Sequence, residues 1–103
     1  MPKLQTTMTT LTLHSQEHRS LRPIVEAALD REARLLEVAI RQTQARLHAF
    51  ESQYKLRTDE FLRRFANDEM EETLDLDEWI GESRLLNSLM HKRDMLKGIT
   101  FVD

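Results

Sequence analysis

The apolar positions fall into three helical segments, preceded by one short Thr-rich, strand-like stretch. Leu29, Leu36, Thr43 and Phe50 recur every seven residues, and Ala33, Ile40, Leu47 and Tyr54 interleave with them. That three-four spacing is the seam of an amphipathic helix in a coiled coil. Pro23 suits the first turn of a helix, where a missing N–H costs little, and Ser20 suits the cap before it. No Gly or Pro follows until Gly81. The pattern therefore predicts one long helix over about 21–56, roughly 50 Å in length. Leu35 and Val38 fall off the seam, so a second face of this helix is also expected to be covered.

Thr58-Asp59-Glu60-Phe61 restarts the pattern, with Thr58 as a cap and acids in the first turn. Phe61 and Phe65 share a face one turn apart, which predicts a short helix over about 58–67. An acidic connector, residues 67–73, leads to a third helix over about 76–97. Asp75 and Glu78 have the spacing of a capping box there. Trp79, Ile80, Leu86, Leu89, Met90 and Leu96 give that helix one broad apolar face, and Gly98 stops it. Gly81 either weakens the helix by about 1 kcal/mol relative to Ala or marks close packing. Ile99 to Val102 form a short extended tail.

Residues 4–13 are Thr-rich and strand-like. No second strand pattern follows, so residues 1–19 are expected to be a disordered or extended arm, pairing if at all with another copy or with a partner's sheet edge. Met8 is an alternative start. The expected fold is all-α: a helical hairpin over 20–103 preceded by that arm. The return helix is shorter than the first. Folded back, it would leave Leu29, Ala33, Leu36 and Ile40 wet, forfeiting several kcal/mol at about 25 cal/mol per Å². The seam residues Leu29, Ala33, Leu36, Ile40, Leu47 and Phe50 are accordingly expected to bind a second chain, either another copy or a different protein.

Composition narrows the function class. The 103 residues carry two Gly, two Pro and no Cys, and hydrophobic residues make up 40%. That is the usage of long helices without disulfides or thiolate metal sites. No apolar run approaches a membrane span, and no signal-like segment opens the chain, so a cytoplasmic protein is expected. The net charge of -3 hides a segregation. Residues 58–82 hold ten acids against Arg63 and Arg64, a local charge of -8, whereas 21–57 sum to +2. A uniformly basic surface is absent, which disfavours direct nucleic-acid binding. The acidic stretch suits a basic protein partner, with Glu69, Glu71, Glu72 and Asp75 as contacts, or else is simply a solvated bend.

Candidate chemistry is thin. His14-Ser15-Gln16-Glu17-His18 matches an inverted zinc-peptidase signature, but a helical chain of this size offers no cleft or distant third ligand, and two histidines beside a helix start are the simpler reading. The carboxylates of 68–78 lack the apolar pocket that acid–base work requires. Asp75 and Asp77 alternate as in a calcium loop, without its Gly and closing Glu. No cofactor, metal or catalytic residue is expected, and an enzyme is disfavoured. Trp79 is either a binding anchor or a plug in a corner with Tyr54, Phe61 and Phe65.

The run Tyr54-Lys55-Leu56-Arg57-Thr58-Asp59-Glu60-Phe61-Leu62-Arg63-Arg64-Phe65, then acids, then Asp75-Leu76-Asp77-Glu78-Trp79, resembles small helical antitoxin-like proteins of prokaryotic toxin–antitoxin loci. The resemblance spans about a quarter of the chain. It implies a protein that sequesters a toxin. The family pattern carries a Gly in the connector, where this chain has Asn67-Asp68-Glu69. A homo-oligomeric coiled-coil scaffold or chaperone is the alternative expectation. A DNA-binding regulator is the third: a Thr-rich strand before a helix resembles ribbon-helix-helix proteins, though the helix lacks their Gly-containing break.

Overall fold

The computed structural model describes residues 9–11 and 18–101, with side chains from Leu21 to Phe101. The elements run β1 (Thr9–Leu11), α1 (His18–Tyr54), α2 (Thr58–Ala66), α3 (Leu74–Lys97) and β2 (Ile99–Phe101). α1 and α3 form the expected helical hairpin. The chain divides into two compact units. One holds the residues up to Val38 and those from Met90 on, and the other holds Ala39–Leu89.

Helix ends depart from the sequence expectation. α1 begins at His18, so Ser20 is a helical residue and not a cap. Pro23 stands sixth in the helix, where its missing N–H removes the bond to the Arg19 carbonyl. α1 ends at Tyr54 without Gly or Pro. Lys55 takes the left-handed conformation (φ 55°), and the Leu56 N–H reaches back to the Glu51 carbonyl at 3.2 Å. That six-to-one bond is the Schellman closure, made with Lys where Gly is usual.

α2 closes the same way. Asp68 is left-handed (φ 59°), its N–H meets the Phe65 carbonyl at 3.1 Å, and the Glu69 N–H meets the Arg64 carbonyl at 2.9 Å. The turn thus forms without the Gly found in the antitoxin-like pattern. Asp tolerates this conformation better than most residues. The expected capping box of α3 does not form. Thr73 caps the helix instead, its Oγ1 accepting the Leu76 N–H at 3.2 Å. Asp75 lies inside the first turn.

In the first unit, β1 pairs in parallel with β2, Thr9 opposite Ile99 and Leu11 opposite Phe101. The strand therefore has a partner within the chain. Three residues are too few to show a period, so Ile99-Thr100-Phe101 reads only as a tail in sequence. Two long helices supply the crossover that a parallel pair needs. The rest of the Thr-rich stretch lies outside the described residues. Leu36 is buried, and Leu96 and Ile99 stand beside both Leu36 and Leu29. The Arg22 guanidinium lies 4.9 Å from the centre of the Phe101 ring, a cation–π contact.

This overturns the expectation that Leu36 and Ile40 stay wet. Leu36 is 4% exposed, Ile40 3% and Leu47 6% within one chain. Leu29, Ala33, Phe50 and Tyr54 are half-buried. The return helix alone would be too short to cover the seam, but Ile99 and Phe101 carry the cover on past its end. Thr43, the polar seam position, is almost fully buried. Its hydroxyl donates to the Ala39 carbonyl at 2.8 Å and accepts from Arg46 Nη2 at 3.3 Å. The apolar exposure lies elsewhere: Leu35 and Val38, expected to be covered, are 58% and 42% exposed, and Ile24 is 65% exposed.

Candidate functional site

The second unit is built around Trp79, which is fully buried. Its ring stacks on Phe61 with centroids 3.9 Å apart and planes 10° from parallel. Phe50 and Tyr54, from α1, each stack on it at 5.5 Å, and Phe65 tilts against Phe61 at 5.8 Å. Leu47 and Leu76 complete the buried cluster. Tyr54, Phe61, Phe65 and Trp79 thus meet as expected, joined by Phe50. The corner is interior, so Trp79 is a plug and not an exposed anchor.

The polar edge of this aromatic core is closed by a relay that the sequence did not reveal. Trp79 Nε1–H donates to Thr58 Oγ1 at 3.0 Å. Thr58 donates both its hydroxyl and its backbone N–H to Glu51 Oε2, each at 2.8 Å. A carboxylate from α1 therefore serves the first open N–H of α2, where Thr58 was expected to be the cap. Arg57 is the capping residue by position, but its side chain makes no capping bond. The Glu51 pKa is lowered, first by the Thr58 backbone bond, against an opposing effect of burial. The only sequence signal was indirect, a Glu one turn before the helix end and seven residues ahead of a Thr.

Tyr54 OH donates to Asp75 Oδ2 at 2.9 Å, and Gln53 Nε2 approaches the same oxygen at 3.4 Å. The bond to Asp75 raises the Tyr54 pKa. Asp75 is therefore engaged within the fold, contrary to its expected place among the free contacts. Other acids are engaged too. Glu60 is held by Arg63 and Arg64, whose hydrogen bonds lower its pKa to about 2, Arg63 first. Glu69 lies 3.9 Å from Arg63. Glu82 Oε1 sits 2.8 Å from Arg46 Nε but off the line of a hydrogen bond, so that contact is Coulombic.

Asp59 pairs with Arg57 at 3.3 Å, so five of the ten carboxylates are left. Asp68, Glu71, Glu72, Asp77 and Glu78 are exposed and have no side-chain partner among the described residues. Of the expected contact patch, Glu71 and Glu72 are free, whereas Glu69 and Asp75 are engaged. Beside them, Arg46, Phe50, Gln53, Asp75, Glu78 and Glu82 line an open groove of about 330 Å³. Such an array offers negative potential.

His48 and His91 are exposed, and no group of three or more His, Cys, Asp or Glu among the described residues could hold a metal. His14 and Glu17 of the zinc-like motif lie outside the described residues, and His18 opens α1. No helix among the described residues is long and apolar enough to cross a membrane. No family model matches the chain, and no curated protein or solved structure matches it.

Proposed function

We propose that this chain is a protein–protein interaction module of the antitoxin-like kind. It sequesters a basic partner protein and makes or breaks no bond. The observation that carries the reading is the set of five unpartnered carboxylates mounted on a buried aromatic corner. Exposed like charges within a few residues repel one another and cost stability unless something else selects for them. Positive charge on a partner would relieve that repulsion, steer the encounter and fix its orientation. Partners that act on nucleic acids carry basic surfaces because they bind phosphates, and an acidic cover occludes the phosphate path. The seam, being interior, is not the binding face in this reading.

Affinity capture from the native host tests it, using the wild type beside the Glu71→Lys/Glu72→Lys/Asp77→Lys variant. A stoichiometric basic protein should be captured by the wild type and lost by the variant at low salt, with the variant's circular dichroism unchanged. Equal capture by both, or a partner of acidic character, contradicts the reading. One observation favours the alternative of a homo-oligomeric helical scaffold: the exposed apolar side chains Ile24, Leu35 and Val38 on α1.

A further inference from the structure

We propose that the groove between α1 and α3 in the second unit receives an arginine side chain of the basic partner, and that Arg46 of this chain holds the place until that partner arrives. This rests on the proposed capture of a basic protein and names the part of it that is recognised. Arg46, Ala49, Phe50 and Gln53 recur at three-four spacing on one face of α1, and Asp75, Glu78 and Glu82 do so on α3. The groove they line has a volume of about 330 Å³. Ala49, with only a methyl group, leaves depth between the longer side chains of Arg46 and Gln53. Three carboxylates stand against one guanidinium, so the groove is negative and a cation complements it.

The chemistry of the lining selects a guanidinium over other cations. Glu82 Oε1 is buried and accepts no hydrogen bond, although Arg46 Nε lies 2.8 Å away. A buried acceptor left unmet is costly, and a forked donor entering along the groove meets it. The Phe50 ring is half-buried and lies 8° from parallel with Trp79, which takes one of its faces. A planar cation stacks on the other face, as a compact ammonium does not. Tyr54 OH and Gln53 Nε2 both bond to Asp75 Oδ2, so that carboxylate is fixed before any partner arrives. Glu78 is exposed and open to pairing. Arg46 is a replaceable occupant. Its side chain is 49% exposed, and its hydrogen bond to Thr43 Oγ1 is long, 3.3 Å. Rotation of Arg46 into solvent uncovers the Glu82 carboxylate for the incoming guanidinium.

NMR titration of the full chain with N-acetyl-arginine amide tests the groove without the partner. The uncharged isostere N-acetyl-citrulline amide and N-acetyl-lysine amide are the comparisons. The arginine probe should shift the amides of Ala49, Phe50, Glu78 and Glu82 well beyond those of Glu71 and Glu72, and the other two probes should not. Arg46→Gln should tighten the arginine probe severalfold by freeing the groove. Ala49→Leu fills the groove at an exposed position, keeps every charge, and should abolish the groove shifts. Equal shifts at Glu71 and Glu72, equal shifts from the lysine or citrulline probe, or weaker binding by Arg46→Gln would overturn the proposal. With the captured protein, Ala49→Leu should raise the off-rate severalfold and leave the salt dependence of the on-rate as in the wild type. Capture that is lost in Glu71→Lys/Glu72→Lys/Asp77→Lys but indifferent to Ala49→Leu would overturn the groove and leave the acidic surface as the binding face. Groove shifts with the arginine probe, but no basic protein captured, would overturn the proposed function and leave the groove as a guanidinium site.

Discussion

The two units of this chain are held by different means. In the unit from Ala39 to Leu89, Trp79 and Phe61 are wholly buried, and the Trp79–Thr58–Glu51 relay satisfies the polar atoms at their edge. In the unit holding the chain ends, Leu36 alone among the apolar side chains described is buried, Ile24 and Leu35 face solvent, and an open groove of about 210 Å³ lies over Leu36. A core with stacked rings and fixed hydrogen bonds specifies one arrangement. A thin apolar layer leaves large side chains such as Ile24 and Leu35 in solvent. Dense aromatic packing is thus confined to one of the two units.

The largest expected effect falls in the aromatic unit. Phe61→Ala should cost about 3–5 kcal/mol, read from chemical denaturation, because a fully buried ring leaves a cavity. Leu35→Ala, on the exposed face, should stay within about 0.5 kcal/mol. Equal costs at the two positions would erase the contrast. Next comes the relay. Thr58→Val strands the indole N–H and removes a donor from Glu51, at about 1–3 kcal/mol, whereas Thr58→Ser keeps both bonds.

The pH dependence follows from the same relay. Glu51 has a lowered pKa, so the fold binds its charged form better than the unfolded chain does. Its contribution is present above the ordinary carboxylate range and is lost as pH falls through the lowered value. Tyr54 has a raised pKa, so its contribution is present below the ordinary phenol range and is lost as pH rises. Glu51→Gln should flatten the acid limb of the stability profile and Tyr54→Phe the alkaline limb, as followed by thermal melts. A profile unchanged by both would remove these contacts as a source of stability.

The smallest effects concern backbone. Lys55→Gly and Asp68→Gly should each raise stability by up to about 1 kcal/mol, by relieving left-handed strain. Gly81→Ala should do the same by about 1 kcal/mol, because a methyl group there meets nothing within 4 Å. Gly81 therefore weakens α3 and does not mark close packing.

Legibility in the sequence followed periodicity. The long helix, the short helix, the return helix and the aromatic corner were all readable, because Leu29 to Tyr54, Phe61 with Phe65, and Trp79 to Leu96 each place apolar positions on one helical face. What stayed hidden was set by contacts distant in sequence. β2 is three residues long, and only its pairing with β1 identifies it. The helix stops at Lys55 and Asp68 use conformations that composition associates with Gly. The acidic surface was legible as a count of charges. Which acids remain free was not, because Asp75 is engaged by Tyr54, 21 residues away in sequence.

Steering of a basic partner by unpartnered carboxylates is tested most directly by stopped-flow association with the captured protein across a range of salt. Asp68, Glu71, Glu72, Asp77 and Glu78 are exposed, so their effect should be screened within about 10 Å at 0.1 M salt. The expected on-rate falls steeply with salt and drops at low salt in Glu71→Lys/Glu72→Lys/Asp77→Lys, with the fold intact. An on-rate indifferent to both salt and the triple reversal would contradict this, and the acidic face would then be a solubilising surface alone.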